Sequence, residues 1–308
     1  MRTGRRTRLK IIEPDIRSTE EAERYVSLCE NRFSERIDEA IETVFAENSL
    51  KIIALAGPTC SGKTTTAAKL TRRMAKAGRQ VVVMSIDDFF KDRKDRNVVD
   101  GESPDYDSVA AIDLDYLELF MKRLNAGLSV LVPRYDFAAT GRVGYDEYIP
   151  HPDDIYVFEG IQAVYPEVTR LFGEGFFSIF MNVKEDVRCG ESALTRDELR
   201  LLRRTVRDYK FRGATPEFTL HLWEGVRENE LNNIFPNAKK RDLTLDSFLD
   251  YEPFLLSRYA VPLLETVPAD SRYRDEAEDL LERLSAFDCP FIEERMIPQN
   301  SVFREFIG

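Results

Sequence analysis

Residues 51–69 read KIIALAGPTCSGKTTTAAK, Lys51 to Lys69. Ile52 to Ala56 is apolar without alternation, the pattern of a strand buried on both faces. Gly57-Pro58-Thr59-Cys60-Ser61-Gly62-Lys63-Thr64 satisfies G-x-x-x-x-G-K-[ST] in full. Thr65 to Ala77 is rich in Ala, Lys, Arg and Met, which favour helix. Strand, glycine turn and helix start is the context this motif needs. Such a loop points backbone N–H groups at phosphates, and the helix N-terminus adds partial positive charge. Residues 57–65 are therefore expected to hold a nucleotide, with Lys63 at the β/γ-phosphates and the Thr64 hydroxyl on Mg²⁺. A chance glycine turn before a surface helix would need all three features to coincide.

The rest of the chain bounds the partners. It has 308 residues, 43% of them hydrophobic and 32% charged, enough for one or two domains with a sizeable core. The net charge of −11 argues against wrapping nucleic acid. No apolar run approaches the ~18 residues of a membrane span. Cys29, Cys60, Cys189 and Cys289 show no metal or redox spacing and read as free thiols in a reducing cytoplasm. Cys60, inside the loop, reads as a small filler, with an accessible, oxidation-sensitive thiol as the other reading. Only His151 and His221 occur, too few for a histidine-rich zinc site or a two-histidine mechanism; both read as surface or packing residues.

Met1 to Lys10 carries five basic residues and no acid, a solvated arm. Ser18-x-x-Glu21 is a capping-box pattern. From Ala22 to Phe45 apolar residues recur at helical spacing, giving one long helix or two shorter ones. Their stripe would pack on the body of the protein or form a homo-oligomer contact. Val81 to Ile86 is a second strand, ending at Asp87-Asp88. Lys91 to Asp107 reads as loop, Asp113 to Asn125 as helix, Ser129 to Val132 as a short strand and 138–154 as loop. Ile155 to Phe158 is a strand ending at Glu159, and Phe176 to Asn182 is another. Thr195 to Lys210, Glu217 to Asn233, Ser247 to Glu265 and Ser271 to Ala286 read as helices. The tail would dock through Val302, Phe303, Phe306 and Ile307.

Strands alternating with helices predict an α/β fold, a parallel sheet covered on both faces, with ligands at the carboxyl ends of the strands. Gly57, Asp87 and Glu159 each follow a strand and map to that edge. Asp87 is placed to accept an acceptor hydroxyl's proton, and Glu159 to hold Mg²⁺ in the manner of a Walker-B acid. The run Arg203 to Gly213 sets cations on two helix faces, suited to a phosphate-binding lid.

Taken together, GPTCSGKTT, SIDDFF, DYDSVAAID, VPRYDFAATGR, VFEG and RRTVRDYKFRG resemble the uridine kinase and phosphoribulokinase family of P-loop kinases over roughly residues 50–245. The resemblance implies a nucleotide-kinase-like sheet with an arginine-rich lid. It also implies transfer from ATP or GTP, with Mg²⁺, to a nucleoside 5'-hydroxyl or a sugar-phosphate hydroxyl. By position it makes Asp87 the catalytic carboxylate and assigns Asp107 and Arg204 to ribose hydroxyls. Arg207 and Arg212 become lid arginines at the transferring phosphate, and Tyr106 and Tyr135 line the nucleoside pocket. Thr140 stands where uridine kinases carry a base-facing histidine, Ala214 where they carry a second lid arginine, and Leu222 where they carry a base-reading glutamine. Phosphate and ribose chemistry look retained while pyrimidine reading does not. Arg134 and Arg142 would be the extra cations if the acceptor were a sugar phosphate. The expected organisation is an appendage over 1–48, the kinase domain over 49–245 and a helical extension over 246–308.

Overall fold

The structure, a computed structural model, describes residues 8–46, 50–92, 106, 108–137 and 139–308. Ile52–Ala56 (β2) is buried at every position and pairs in parallel with Ile155–Glu159 (β6) on one side and Phe176–Asn182 (β7) on the other. Val81–Ser85 (β3) extends the sheet beyond β6, and Leu243–Asp246 (β10) beyond β7. All five strands run parallel in the order β10-β7-β2-β6-β3.

Strand residues alternate between faces, and both faces are packed. Ile53 and Leu55 of β2 join a core built with Thr19–Phe45 (α1), Lys63–Lys76 (α2), Arg196–Arg212 (α5), Glu252–Leu264 (α8) and Arg274–Leu284 (α9). Ile52, Ala54 and Ala56 face a second core built with Leu114–Asn125 (α3) and Pro166–Phe172 (α4). This is the parallel, doubly covered sheet that the alternation of elements predicts.

The N-terminal stripe forms one continuous helix, α1. Its Ala22, Val26, Cys29, Phe33, Ile37, Ala40, Ile41 and Val44 are buried against the same chain, so the apolar stripe is spent on the body of the protein. Before it, Leu9–Ile11 (β1) pairs in parallel with Asp186–Cys189 (β8), which pairs antiparallel with Ser192–Leu194 (β9). The arm read as solvated thus contributes a strand over part of its length.

Further readings are corrected. The strand read as Ser129 to Val132 runs over Val130–Asp136 (β4), and residues 138–154, read as loop, contain Gly141–Tyr148 (β5), its antiparallel partner. Most β5 side chains are exposed or half-buried, so the stretch lacks the apolar pattern that would mark it. The helix read as Ser247 to Glu265 starts at Glu252. Pro216–Asn229 (α6) passes into a π-helical turn, Glu230–Ile234, followed by the one-turn Phe235–Asn237 (α7). The tail ends in the short Arg304–Ile307 (α10), and Val302, Phe303, Phe306 and Ile307 are all buried, as expected.

Candidate active site

The phosphate loop is built by close approach. A Cβ on Gly57 would lie 2.4 Å from the carbonyl oxygen of Met181 on the neighbouring β7, so only glycine fits between the strands. Gly62 turns the chain into α2 at φ +84. Cys60 adopts φ 55, a left-handed conformation rare outside glycine. Its side chain is 2% exposed, so it fills the loop and is not an accessible thiol. Lys63 folds back over the loop, its Nζ donating to the Pro58 carbonyl at 3.0 Å. Thr64 is exposed at the first turn of α2, and Thr65 is half-buried.

Two buried arginines of α5 hold the loop from behind. Arg203 Nη1 donates to the Cys60 carbonyl at 3.1 Å and to Ser247 Oγ at 3.0 Å, while Glu252 takes its Nε and Nη2 at 2.5 and 2.6 Å. Arg200 Nη1 donates to the Thr59 carbonyl at 3.4 Å and pairs with Glu230, which the π turn carries inward. All four charged groups are fully buried. Arg203, which the charge run placed on a lid face, is therefore an anchor, and Arg200, Glu230 and Glu252 are functional neighbours that sequence reading passed over.

Glu159 ends β6 in register with Leu55 of β2 and Ser85 of β3. It accepts the Ser85 hydroxyl at 3.2 Å. Burial raises its pKa above the ordinary carboxylate range, while the charge of Lys63 and the Ser85 hydrogen bond pull it back. Asp87 lies half-buried in the 3-10 turn Ile86–Phe89 that follows β3. A Cβ on Gly160 would lie 2.9 Å from Ile86 Cβ and 3.6 Å from Asp87 Oδ1, which sets this turn directly against the chain leaving Glu159. Asp88 accepts the Tyr135 N–H at 3.0 Å and has its pKa raised by burial, so it ties the turn to β4.

Beside the turn that Asp88 ties to β4, Tyr106 and Tyr135 meet with hydroxyls 3.5 Å apart. Phe90 and Phe137 complete the cluster, with ring centroids 5.3–6.3 Å apart. Gln162 Nε2 donates to the Tyr106 carbonyl at 2.5 Å. Thr140 sits in the β4–β5 turn at φ 51. Asp107 lies outside the described residues. Arg204, Arg207 and Arg212 converge on one buried carboxylate, Asp208, at 3.2, 2.7 and 3.4 Å. Asp208 was legible only as the i+4 partner of Arg204. Arg142 pairs with Asp113 at 2.9 Å and Arg134 with Asp146 at 3.5 Å, so both proposed sugar-phosphate cations already have carboxylate partners.

A parallel sheet with a glycine-rich phosphate loop and two acids at adjoining strand ends defines a P-loop α/β protein. The chain belongs to the phosphoribulokinase/uridine kinase family, whose model matches residues 52–251, more than half of its length. It is 29% identical over 197 residues to a uridine kinase of Deinococcus deserti, covering 63% of this chain and 86% of that one. It is 31% identical over 190 residues to a uridine kinase of Staphylococcus haemolyticus, covering 61% and 83%. Among solved structures, a possible uridine kinase from Bacillus stearothermophilus superposes with a TM-score of 0.47 at 19% identity, covering 69% of this chain and 98% of that one. The phosphoribulokinase from Rhodobacter spheroides gives 0.44 at 16%, covering 63% and 68%. Membership makes this chain a kinase of a small molecule. Among the described residues, no helix is long and apolar enough to cross a membrane.

Proposed function

We propose that this chain transfers the γ-phosphoryl group of ATP, in the presence of Mg²⁺, to the 5'-hydroxyl of a ribonucleoside, with GTP as the alternative donor, in the cytoplasm. The observation that carries this reading is convergence. The phosphate loop, Asp87 and Glu159 stand at the carboxyl ends of three neighbouring strands, β2, β3 and β6. A nucleotide-binding switch needs the loop and Glu159, but it has no use for an acid on the acceptor side.

The residues fit the donor. Gly57 lets the loop leave β2 tight against β7 and Gly62 turns it into α2, and Lys63 and Thr64 open that helix, where anions are favoured. The described residues hold no cluster of three or more His, Cys, Asp or Glu side chains that would bind a metal alone. One carboxylate beside a phosphate loop suits Mg²⁺, which usually keeps its waters and takes few protein ligands. Thr64 and Glu159 would hold it, and when bound it neutralises charge on the phosphate oxygens. Lys63 draws the β/γ-phosphates to the loop. Asp87 orients the acceptor hydroxyl and accepts its proton. Arg207 and Arg212 leave Asp208 to meet the transferring group. Arg204 and Asp107 take the ribose hydroxyls, and Tyr106 and Tyr135 stack on the base. Thr140, Ala214 and Leu222 offer little to a pyrimidine edge, so base preference is weak or directed away from uridine.

ADP release measured across ribonucleosides, 2'-deoxyribonucleosides and sugar phosphates tests the reading. Turnover with ribonucleosides is expected, and the deoxy forms should fall by ~10²-fold or more, because a site built to bond a hydroxyl rejects the analogue lacking it. Turnover on a sugar phosphate alone would replace this reading, and turnover on neither would overturn it.

A further inference from the structure

The end of the chain lays a carboxylate on the phosphate loop. Glu305 Oε2 accepts the Thr65 backbone N–H at 3.2 Å and the Thr65 hydroxyl at 3.0 Å. Thr65 lies in the first turn of α2, where N–H groups have no partner within the helix. These are donors of the kind a phosphate loop offers to the α/β-phosphates of a nucleotide. A carboxylate meets them with the same charge sign and acceptor chemistry as a phosphate oxygen.

The segment carrying Glu305 is fixed. Val302 Cγ2 would lie 2.4 Å from a Cβ on Gly62. Phe306 packs 4.7 Å from the Arg203 guanidinium, which itself holds the Cys60 carbonyl. Lys210 Nζ donates to the Ile307 carbonyl at 2.5 Å. Ser301 and Tyr251 both donate to buried Glu30 of α1, at 2.5 and 2.7 Å. With the backbone held on each side, the half-buried Glu305 side chain is the part free to turn. The family match ends at residue 251, so Glu305 lies outside it.

We propose that Glu305 is a residue of the donor site that competes with nucleotide phosphate for Thr65, so that donor binding requires its carboxylate to swing away while α10 stays packed. The proposal rests on reading residues 57–65 as the donor loop. Glu305 takes both Thr65 donors, and each donor molecule must displace it from them. Glu305 thereby sets donor affinity, and it keeps the loop closed to weak anions.

Isothermal titration of the full chain with Mg·ATP and with Mg·ADP, without acceptor, tests this. Glu305→Gln keeps the size of the side chain and removes its charge; Glu305→Ala removes both bonds. Each is expected to lower Kd for both nucleotides by about 10-fold or more, the scale of a lost charge-assisted competitor. Circular dichroism checks that each variant is folded, and the near-isosteric Gln variant carries the test if Ala perturbs packing. Unchanged or weaker binding in the Gln variant, with wild type binding normally, overturns the role of Glu305 and leaves the donor loop standing. No nucleotide binding by any of the three folded proteins overturns the donor-loop reading and this proposal with it.

Discussion

Individual residues carry the chemistry through where the backbone puts them. Lys63 reaches the loop because it opens α2, and its charge is felt by Glu159 one strand away. Lys63→Ala should cut turnover by at least ~10³-fold and weaken ATP binding, because the γ-phosphoryl loses its main counter-charge. Steady-state rates with a parallel ATP titration check both, and wild-type rates would remove the loop from the mechanism. This residue was legible in sequence because the motif is local. Asp87 and Glu159 were legible for a related reason: each follows an apolar strand, and parallel strands bring such positions to one edge. Arg203 was misjudged. It stands in a run rich in arginine, but the partner that buries it, Glu252, lies far along the chain, and no local pattern announces a long-range ion pair.

At the scale of elements, α5 holds the loop through its buried arginines. A Thr195–Glu198 capping box starts it and Gly213 ends it in the left-handed region. Its inner face carries Arg200 and Arg203 to successive loop carbonyls, Thr59 and Cys60. Removing one partner of a buried ion pair leaves an uncompensated charge. Glu252→Gln should therefore destabilise the protein by about 3–5 kcal/mol, read as a lower urea midpoint at unchanged slope. It should also raise KM for ATP, since Arg203 would be drawn from the Cys60 carbonyl. A midpoint equal to wild type would show that the pair is not essential to the loop. The hairpin of β4 and β5 was only half legible. β4 shows β-branched residues, but β5, GRVGYDEY, mixes Gly and charged residues with Val143 and tyrosines and buries none of them, and a buried hydrophobic period is the main signal for a strand.

For the whole molecule, the terminal segments are structural parts of the kinase. One face of the sheet is covered by α1, α8, α9 and the tail in a single core. Glu30 of α1 accepts hydrogen bonds from Tyr251 and Ser301, joining beginning and end behind α2. A division at residue 245 also falls inside β10, which runs to Asp246. We therefore expect a chain cut to 49–245 to lack a cooperative unfolding transition, and Phe303→Ala in the full chain to cost about 3–5 kcal/mol. Calorimetry reads both; a sharp transition in the short chain would make the extensions dispensable. That core positions the three strand ends at which transfer is proposed to occur, and Asp87 is the member proposed to take the acceptor's proton. The most direct measurement is kcat and the ATP Kd of Asp87→Asn beside wild type. The account predicts a loss of about 10²–10⁴ in kcat with ATP affinity unchanged. Full kcat, or a loss confined to KM, would contradict it.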